Sequence, residues 1–526
     1  LIASIETEIV TCLKQKHEEL QEDTASRSQV IAWESSLRST KNAVAQLIAT
    51  NQSYNNIGVI FEYELPRERG RRPDILLLTG EQILVLEFKE HSYPSRAFID
   101  QVAAYARDIK NYHAASHELT VRPLLVLSNA QDLQEQHDDV EIVSANELSF
   151  VLENLITVPP KKLVDWAAWA GADYAPLPTI VAAARQLFLN ESLPAIRRAQ
   201  SAGIPETIRK LVEISNNSRT EKEKHLVLIT GVPGAGKTLA GLQLVYENFF
   251  GDSGSERTAV FLSGNGPLVE VLQHALDSKV FVQDVHGFLR QYGGNSSRVP
   301  DEHIWVFDEA QRAWDAQRVG SKRGKVLSEP EDFLSIGEKK TDWAVMIGLI
   351  GEGQEIHLGE EAGLTQWADA VEAMPSNWTV HCPSHISSLF SSIEKVRICP
   401  ELNLNTSLRT HLAEDLQDWV KLLLAGEIRR AGELSERIHA QGFCMYLTRD
   451  LDTAKKYVRD RYAESKDKRY GLIASSKAKH LPKHGVLNDF QSTRRVKKGP
   501  WYNDDPNSKR SCCQLEEVVT EFACQG

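Results

Sequence analysis

Leu226-Val227-Leu228-Ile229-Thr230-Gly231-Val232-Pro233-Gly234-Ala235-Gly236-Lys237-Thr238 decides the fold of this chain. An apolar run of strand character feeds a G-x-x-x-x-G-K-T turn, and a helical stretch opens at Leu239. Glycines let successive backbone N–H groups curl inward around phosphate oxygens, and the helix N-terminus adds its partial positive charge. Gly231, Pro233, Gly234 and Gly236 shape the loop, Lys237 would reach the β- and γ-phosphates, and the Thr238 hydroxyl would hold Mg²⁺. The stretch predicts a nucleoside triphosphate site with ATP and Mg²⁺ as cofactors.

The expected companion is a hydrophobic strand ending in acids, and Ile304-Trp305-Val306-Phe307-Asp308-Glu309-Ala310-Gln311 supplies it. Asp308 would hold Mg²⁺ through its water shell, and Glu309 would polarise the attacking water as general base. The separation from the phosphate loop suits one intervening strand-and-helix unit. Around this pair, strand-like segments at His225–Ile229, Thr258–Leu262, Ile304–Phe307 and Trp343–Leu349 alternate with helical patterns, as in a parallel sheet.

Four parts are expected along the chain: a mixed α/β domain over 1–155, a helical connector over 156–222, and two RecA-like lobes over 223–400 and 401–526. The N-terminal part reads as a helical stretch to about Leu47, strands at Gly58–Glu64, Asp74–Leu78, Ile83–Phe88 and Pro123–Leu127, and a helix near Ala97–His113. At 526 residues the chain exceeds what one core organises. Seven cysteines without a C-x-x-C pair argue for a reducing cytoplasm and against a zinc site or disulfide framework. No apolar run is long enough to span a bilayer, so no membrane partner is expected. The formal charge of −12 means that a nucleic-acid surface has to be a local basic region on an acidic body. The chain opens on Leu1 and ends inside a motif-like segment, so the native chain is expected to continue and the second lobe to be incomplete.

Asp-Glu-Ala-Gln resembles motif II of superfamily 1 helicases, and further segments agree in order. Phe261-Leu262-Ser263-Gly264-Asn265-Gly266-Pro267-Leu268 looks like motif Ia, which in those enzymes touches the nucleic-acid backbone. Ile347 to Ile356, with Gly351-Glu352-Gly353-Gln354, looks like motif III, and the resemblance makes Gln354 the γ-phosphate sensor. Leu402-Asn403-Leu404-Asn405-Thr406-Ser407-Leu408-Arg409 looks like motif IV and implies that Arg409 acts as an internal arginine finger. Thr520 to Gly526 resembles the opening of motif V, while motif VI is not visible. Together these are similar to the Schlafen-like group of DNA/RNA helicase domains over about residues 223–526.

A second constellation lies upstream. Arg72-Pro73-Asp74 followed by Leu86-Glu87-Phe88-Lys89 is the P-D-x(n)-E-x-K arrangement of restriction-type nucleases. Side chains two apart on a strand share a face, so Glu87 and Lys89 point together beside Asp74. Two carboxylates would bind Mg²⁺, and Lys89 would position or deprotonate the attacking water. Gln101 and Tyr105, four apart on a helix, share one face and resemble the Q-x-x-x-Y pair of RecB-like nucleases, where it supports the site and the DNA. Glu64 and Glu34 are weaker candidate acids. The basic runs Arg67–Arg72 and Arg494–Lys498 could track a phosphate backbone or be solvated loops, and Phe281 and Phe288 could stack on bases or lie in the core.

The sequence thus predicts an ATP-dependent helicase or translocase with a fused Mg²⁺-dependent nuclease, acting on DNA more than RNA. Such pairings resemble bacterial repair or anti-phage machinery. An RNA-directed nuclease-helicase and a non-translocating ATP-binding switch are the alternatives, and a homo-oligomer or accessory protein is an open partner.

Overall fold

The computed structural model describes the chain apart from residues 1–5, 22–23, 67, 69, 177–180, 182–183, 185–202, 232–233, 250–257, 295, 324–326, 352–362, 405–413, 464, 466–467 and 525–526. It divides into two compact units, Leu1–Pro176 with Asp415–Tyr470, and Leu177–Glu414 with Gly471–Gly526.

In the first unit, helices α1 (Glu6–Gln21) and α2 (Arg27–Thr50) precede strands β1 (Gly58–Phe61), β2 (Ile75–Leu78) and β3 (Gln82–Lys89). Helix α3 (Arg96–Tyr112) then crosses to β4 (Thr120–Leu127), and β5 (Gln134–His137), β6 (Val140–Ser144) and α4 (Leu148–Leu155) follow. The sheet order is β1-β2-β3-β4-β6-β5. β1, β2 and β3 form an antiparallel meander, and β3, β4 and β6 run parallel. Period-two alternation splits the core into two layers. Leu76, Leu78, Ile83 and Val85 meet Val102, Tyr105 and Ile109 of α3 on one face. Ile75, Leu77, Leu84 and Leu86 meet Leu47 of α2 and Leu152 of α4 on the other. Each such buried side chain contributes about 1.5–3 kcal/mol.

One expectation needs adjustment here. The first strand stops at Phe61, short of Glu64, because Glu62 turns left-handed (φ 50°) and hooks its N–H onto Asp74 O at 2.8 Å. The edge strand β5 has no sequence signal, since Gln134-Glu135-Gln136-His137 is exposed throughout and carries no apolar alternation.

In the second unit, helix Ile204–Glu221 leads to β7 (Lys224–Gly231), helix Lys237–Phe249, β8 (Ala259–Ser263), helix Gly266–Ala275 and β9 (Val282–Asp284). Next come β10 (Ile304–Asp308), β11 (Ala344–Gly351), β12 (Thr379–Cys382), β13 (Val396–Ile398) and the short β14 (Asn403–Leu404). The order is β13-β12-β7-β11-β10-β8-β9, with β14 beside β7, and every recorded pairing is parallel. This is an α/β sheet of RecA-like character. A smaller parallel pair, β15 (Leu472–Ala474) and β16 (Val518–Thr520), follows. β8 and β9 both lie between the phosphate-loop strand and the acidic strand in sequence, and β11 separates those two strands in the sheet. The single intervening unit expected from spacing is therefore replaced by two strands. Among the described residues, no helix is long and apolar enough to cross a membrane.

Parallel registers align the strand ends. Gly351 stands opposite Gly231, and Asp308 opposite Ser263. The C-terminal edge of the sheet thus collects the phosphate loop, the acidic turn and the motif Ia segment, where open α/β sheets bind ligands.

Candidate functional sites

The phosphate loop keeps its shape through glycine. Gly234 and Gly236 have φ of 79° and 92°, the left-handed region that other residues enter only under strain. Gly231 is required for a different reason. A Cβ there would stand 2.6 Å from Leu404 O, because β14 runs along the end of β7. Lys237 opens the following helix, and its Nζ donates to Gly231 O at 2.7 Å, curling back across the loop. Thr238 Oγ1 donates to Asp308 Oδ1 at 3.2 Å. Burial pushes the Asp308 carboxyl up to about 7, the adjacent Glu309 charge adds to the shift, and the Thr238 hydroxyl and Lys237 charge oppose it. A buried carboxylate with an adjacent hydroxyl is the donor set that a hydrated Mg²⁺ fits. Asp308 and Thr238 would hold that ion, which would neutralise phosphate charge when bound.

Glu309 sits at φ 57°, an uncommon conformation for a side-chain-bearing residue and one that recurs at functional sites. Its Oε2 accepts from Gln311 Nε2 at 2.6 Å and lies 3.5 Å from Arg312 Nε. Gln311 Oε1 in turn accepts the Gly351 N–H at 3.0 Å. Gln311 thus ties Glu309 to the end of β11, within the motif III segment. The sequence displays this residue in Asp-Glu-Ala-Gln, but its bridging role needs the position of β11. The turn is backed by Trp367 Nε1, which donates to Ala310 O at 3.2 Å, and Gln366 Nε2, which donates to Ala313 O at 3.0 Å. Neither residue had a local sequence signal.

In the first unit, one step beyond the Ile75↔Leu86 pair of the β2/β3 register brings Asp74 opposite Glu87. Both belong to the face covered by α3. The Phe88 N–H donates to Asp74 Oδ2 at 2.6 Å. Glu87 is fully buried, with Lys89 Nζ 2.9 Å from its Oε1 and Gln101 Nε2 donating to the same oxygen at 3.1 Å. Gln101 Nε2 also lies 3.3 Å from Tyr105 Oη, and the Lys89 ammonium stands 5.5 Å from the centre of the Phe98 ring. Five residues singled out from sequence therefore gather around one end of β3. Asp74 and Glu87 offer two facing carboxylates that a divalent cation would fit. Among the described residues, no group of three or more His, Cys, Asp or Glu side chains is placed to hold a metal. Glu64 accepts the Gly70 N–H at 3.3 Å, and Glu34 is exposed on α2.

Residues 224–526 match the family model described as Schlafen group 3, DNA/RNA helicase domain. The chain belongs to that Schlafen family. A search of the curated proteins finds no match. The family match begins at the first residue of β7 and spans the sheet just described. A nucleic-acid helicase-type domain that binds nucleotide follows from this membership.

Within this Schlafen domain, the motif Ia segment lies at the end of β8, where Asn265 caps the next helix by accepting the Leu268 N–H at 3.4 Å. Asn403 and Leu404 of the motif IV segment form β14, and Asn403 Oδ1 accepts from Thr230 Oγ1 at 3.1 Å. Pro233, Gln354 and Arg409 lie outside the described residues. Phe281 and Phe288 are core residues. Of the first basic run, Arg71 is buried against Glu68 and Asp108, and Arg72 pairs with Glu62, so both are engaged within the fold.

Proposed function

We propose that the chain is an ATP-driven translocase or helicase with a fused Mg²⁺-dependent nuclease, and that its substrate is DNA. The observation that carries the motor reading is the meeting of Thr238 and Asp308 at 3.2 Å beside a phosphate loop of left-handed glycines. Lys237 would leave Gly231 O to reach bound phosphate, Asp308 and Thr238 would hold the metal, and Glu309 would take a proton from the attacking water. Gln354 and Arg409 would sense and stabilise charge at the γ-phosphate.

The nuclease reading is supported by the antiparallel meander, the α3 crossover and the gathering of Asp74, Glu87, Lys89, Gln101 and Tyr105. In this proposal Asp74 and Glu87 hold the cation, Lys89 orients or deprotonates water, and Gln101 and Tyr105 support the cluster. The division into a nuclease-like domain (1–155), a connector (156–222) and two motor lobes (223–400 and 401–526) belongs to the same proposal. So does a cytoplasmic role in bacterial repair or phage defence, which rests on resemblance alone.

The test is an ATPase and Mg²⁺-dependent cleavage assay on matched single- and double-stranded DNA and RNA. Lys237→Ala is expected to abolish hydrolysis, and Asp74→Ala or Lys89→Ala to abolish cutting with hydrolysis retained. Full cleavage by Asp74→Ala would overturn the nuclease half. Hydrolysis indifferent to added polynucleotide would point to a nucleotide switch in place of a motor.

A further inference from the structure

Residues 475–498 contain seven lysines and arginines and a single acid, Asp489, within a chain whose formal charge is −12. Lys477, Lys479, Lys483, Arg494, Arg495 and Lys497 are all exposed. Among the described residues, none of these six forms a salt bridge. Cations on exposed helices elsewhere do find acids, as Lys16 does with Glu19, Arg430 with Glu427 and Lys456 with Asp460. The one acid within the segment is spent on capping, its oxygens accepting from Gln491 N–H, Ser492 N–H and Ser492 Oγ.

These cations belong to one small folded device. Asn488 is buried, and its Nδ2 donates to Ser475 O at 2.8 Å and Ala478 O at 2.7 Å. Asn488 therefore pins the turn bearing Lys477 and Lys479 next to Asp489, the cap of helix Phe490–Arg495. On that helix Phe490 is 75% exposed, with the Arg494 guanidinium 5.8 Å from its ring centre, and neighbouring Leu487 is 54% exposed. The device is anchored to the RecA-like sheet. Asn503 Nδ2 donates to Val271 O at 3.0 Å, and Gly499 lies so close to helix Gly266–Ala275 that a Cβ would stand 2.6 Å from His274 Cβ. That helix is the one the motif Ia segment opens.

We infer that this basic island is a single-strand binding surface, with phosphates on the lysines and arginines and an unpaired base on Phe490. The inference rests on the nucleic-acid reading above and names where that strand is held. Exposed cations that form no salt bridge among the described residues, gathered on an acidic body, attract a polyanion. An exposed ring framed by an arginine accepts a base face, which a duplex keeps inside its stack. The occupant is thus a single-stranded polynucleotide, and the sugar type is left to the arms of the experiment.

The test measures binding of the full chain to fluorescent single-stranded DNA, single-stranded RNA and duplex DNA across a salt series, with circular dichroism confirming fold in every variant. The triple variant Lys477→Ala, Lys479→Ala, Lys483→Ala should lower the slope of log affinity against log salt by roughly 2 for single strands. Phe490→Ala should weaken single-strand binding roughly tenfold while leaving an abasic strand unaffected. Unchanged affinity and slope in a folded triple variant that still binds would overturn the island and leave the proposed function standing. Failure of the unaltered chain to bind any polynucleotide would overturn both. Equal loss on duplex and single strand in Phe490→Ala would overturn the stacking role.

Discussion

Gly241 tests whether the nucleotide site depends on close contact between its helix and the sheet. It lies one turn into helix Lys237–Phe249, and a Cβ built there would stand 2.9 Å from both Leu349 Cδ1 and Val306 Cγ1, and 3.2 Å from Phe261 Cε2. These atoms come from three strands that are buried throughout, and comfortable carbon contacts need about 3.5–4.0 Å. Val306 is β-branched and has little rotamer freedom with which to retreat. Gly241→Ala should therefore cost about 1–3 kcal/mol in overpacking. Against this stands a gain of about 1 kcal/mol in helix propensity. The expected net effect is a loss of about 1 kcal/mol, together with slower ATP hydrolysis, because lifting the helix draws Thr238 away from Asp308. Gly432→Ala is the control. Its Cβ would meet nothing within 4 Å, so the same substitution there should stabilise by about 1 kcal/mol. Urea unfolding and steady-state ATPase on both variants read the result. A Gly241→Ala protein as stable as the parent, or more so, would refute the close-packing argument.

Glu309→Gln should retain ATP binding, since Lys237, Thr238 and Asp308 are untouched, while hydrolysis falls by about two to four orders of magnitude; binding by nucleotide fluorescence beside turnover separates the two. Gln101→Leu removes the amide that donates to Glu87, and cleavage should fall roughly 10- to 100-fold with ATPase unchanged, as seen when partners of metal ligands are lost. His113 is fully buried and stacked on Trp169 at 4.0 Å, and burial draws its pKa down to about 4, with a smaller push from His117. The unfolded chain takes up a proton near pH 6.5 that the folded chain refuses, so this histidine's share of stability is present above 6.5 and declines as pH falls toward 4. His113→Phe should flatten that decline in denaturation midpoints compared between pH 7 and pH 5.

How much of this could be read without coordinates depends on how local the chemistry is. The phosphate loop, the acidic strand end and the β3 cluster were legible because each is built by adjacent residues or by one strand pair with the helix that follows it. Their strands are long apolar runs that leave few alternatives. Arg71 and Arg72 read equally as phosphate contacts or as a solvated loop, because Glu62, Glu68 and Asp108 become their partners only in the fold. Gln311 was visible but mute until β11 arrived between the two nucleotide-site strands.

The largest gap concerns residues 415–470, which lie inside the Schlafen match yet pack with the N-terminal unit. Their seat is Asp100, 3% exposed, which accepts from Tyr446 Oη at 2.9 and 3.0 Å and from Tyr457 Oη at 2.5 Å. Arg96 Nε lies 3.2 Å and Arg461 3.8 Å from the same carboxylate. A carboxylate so enclosed is stable only with its donors in place, since unmet burial costs several kcal/mol. Yet Asp100 and its tyrosines are separated by 346 and 357 residues. No periodicity or spacing rule reaches that far, and in sequence Asp100 is merely a polar residue on an amphipathic helix. It is also the residue beside Gln101. The α3 helix thus presents Gln101 and Tyr105 to the candidate nuclease cluster and Asp100 to a segment distant in sequence, so the helix bearing two of that cluster's five residues is held in place by Tyr446 and Tyr457.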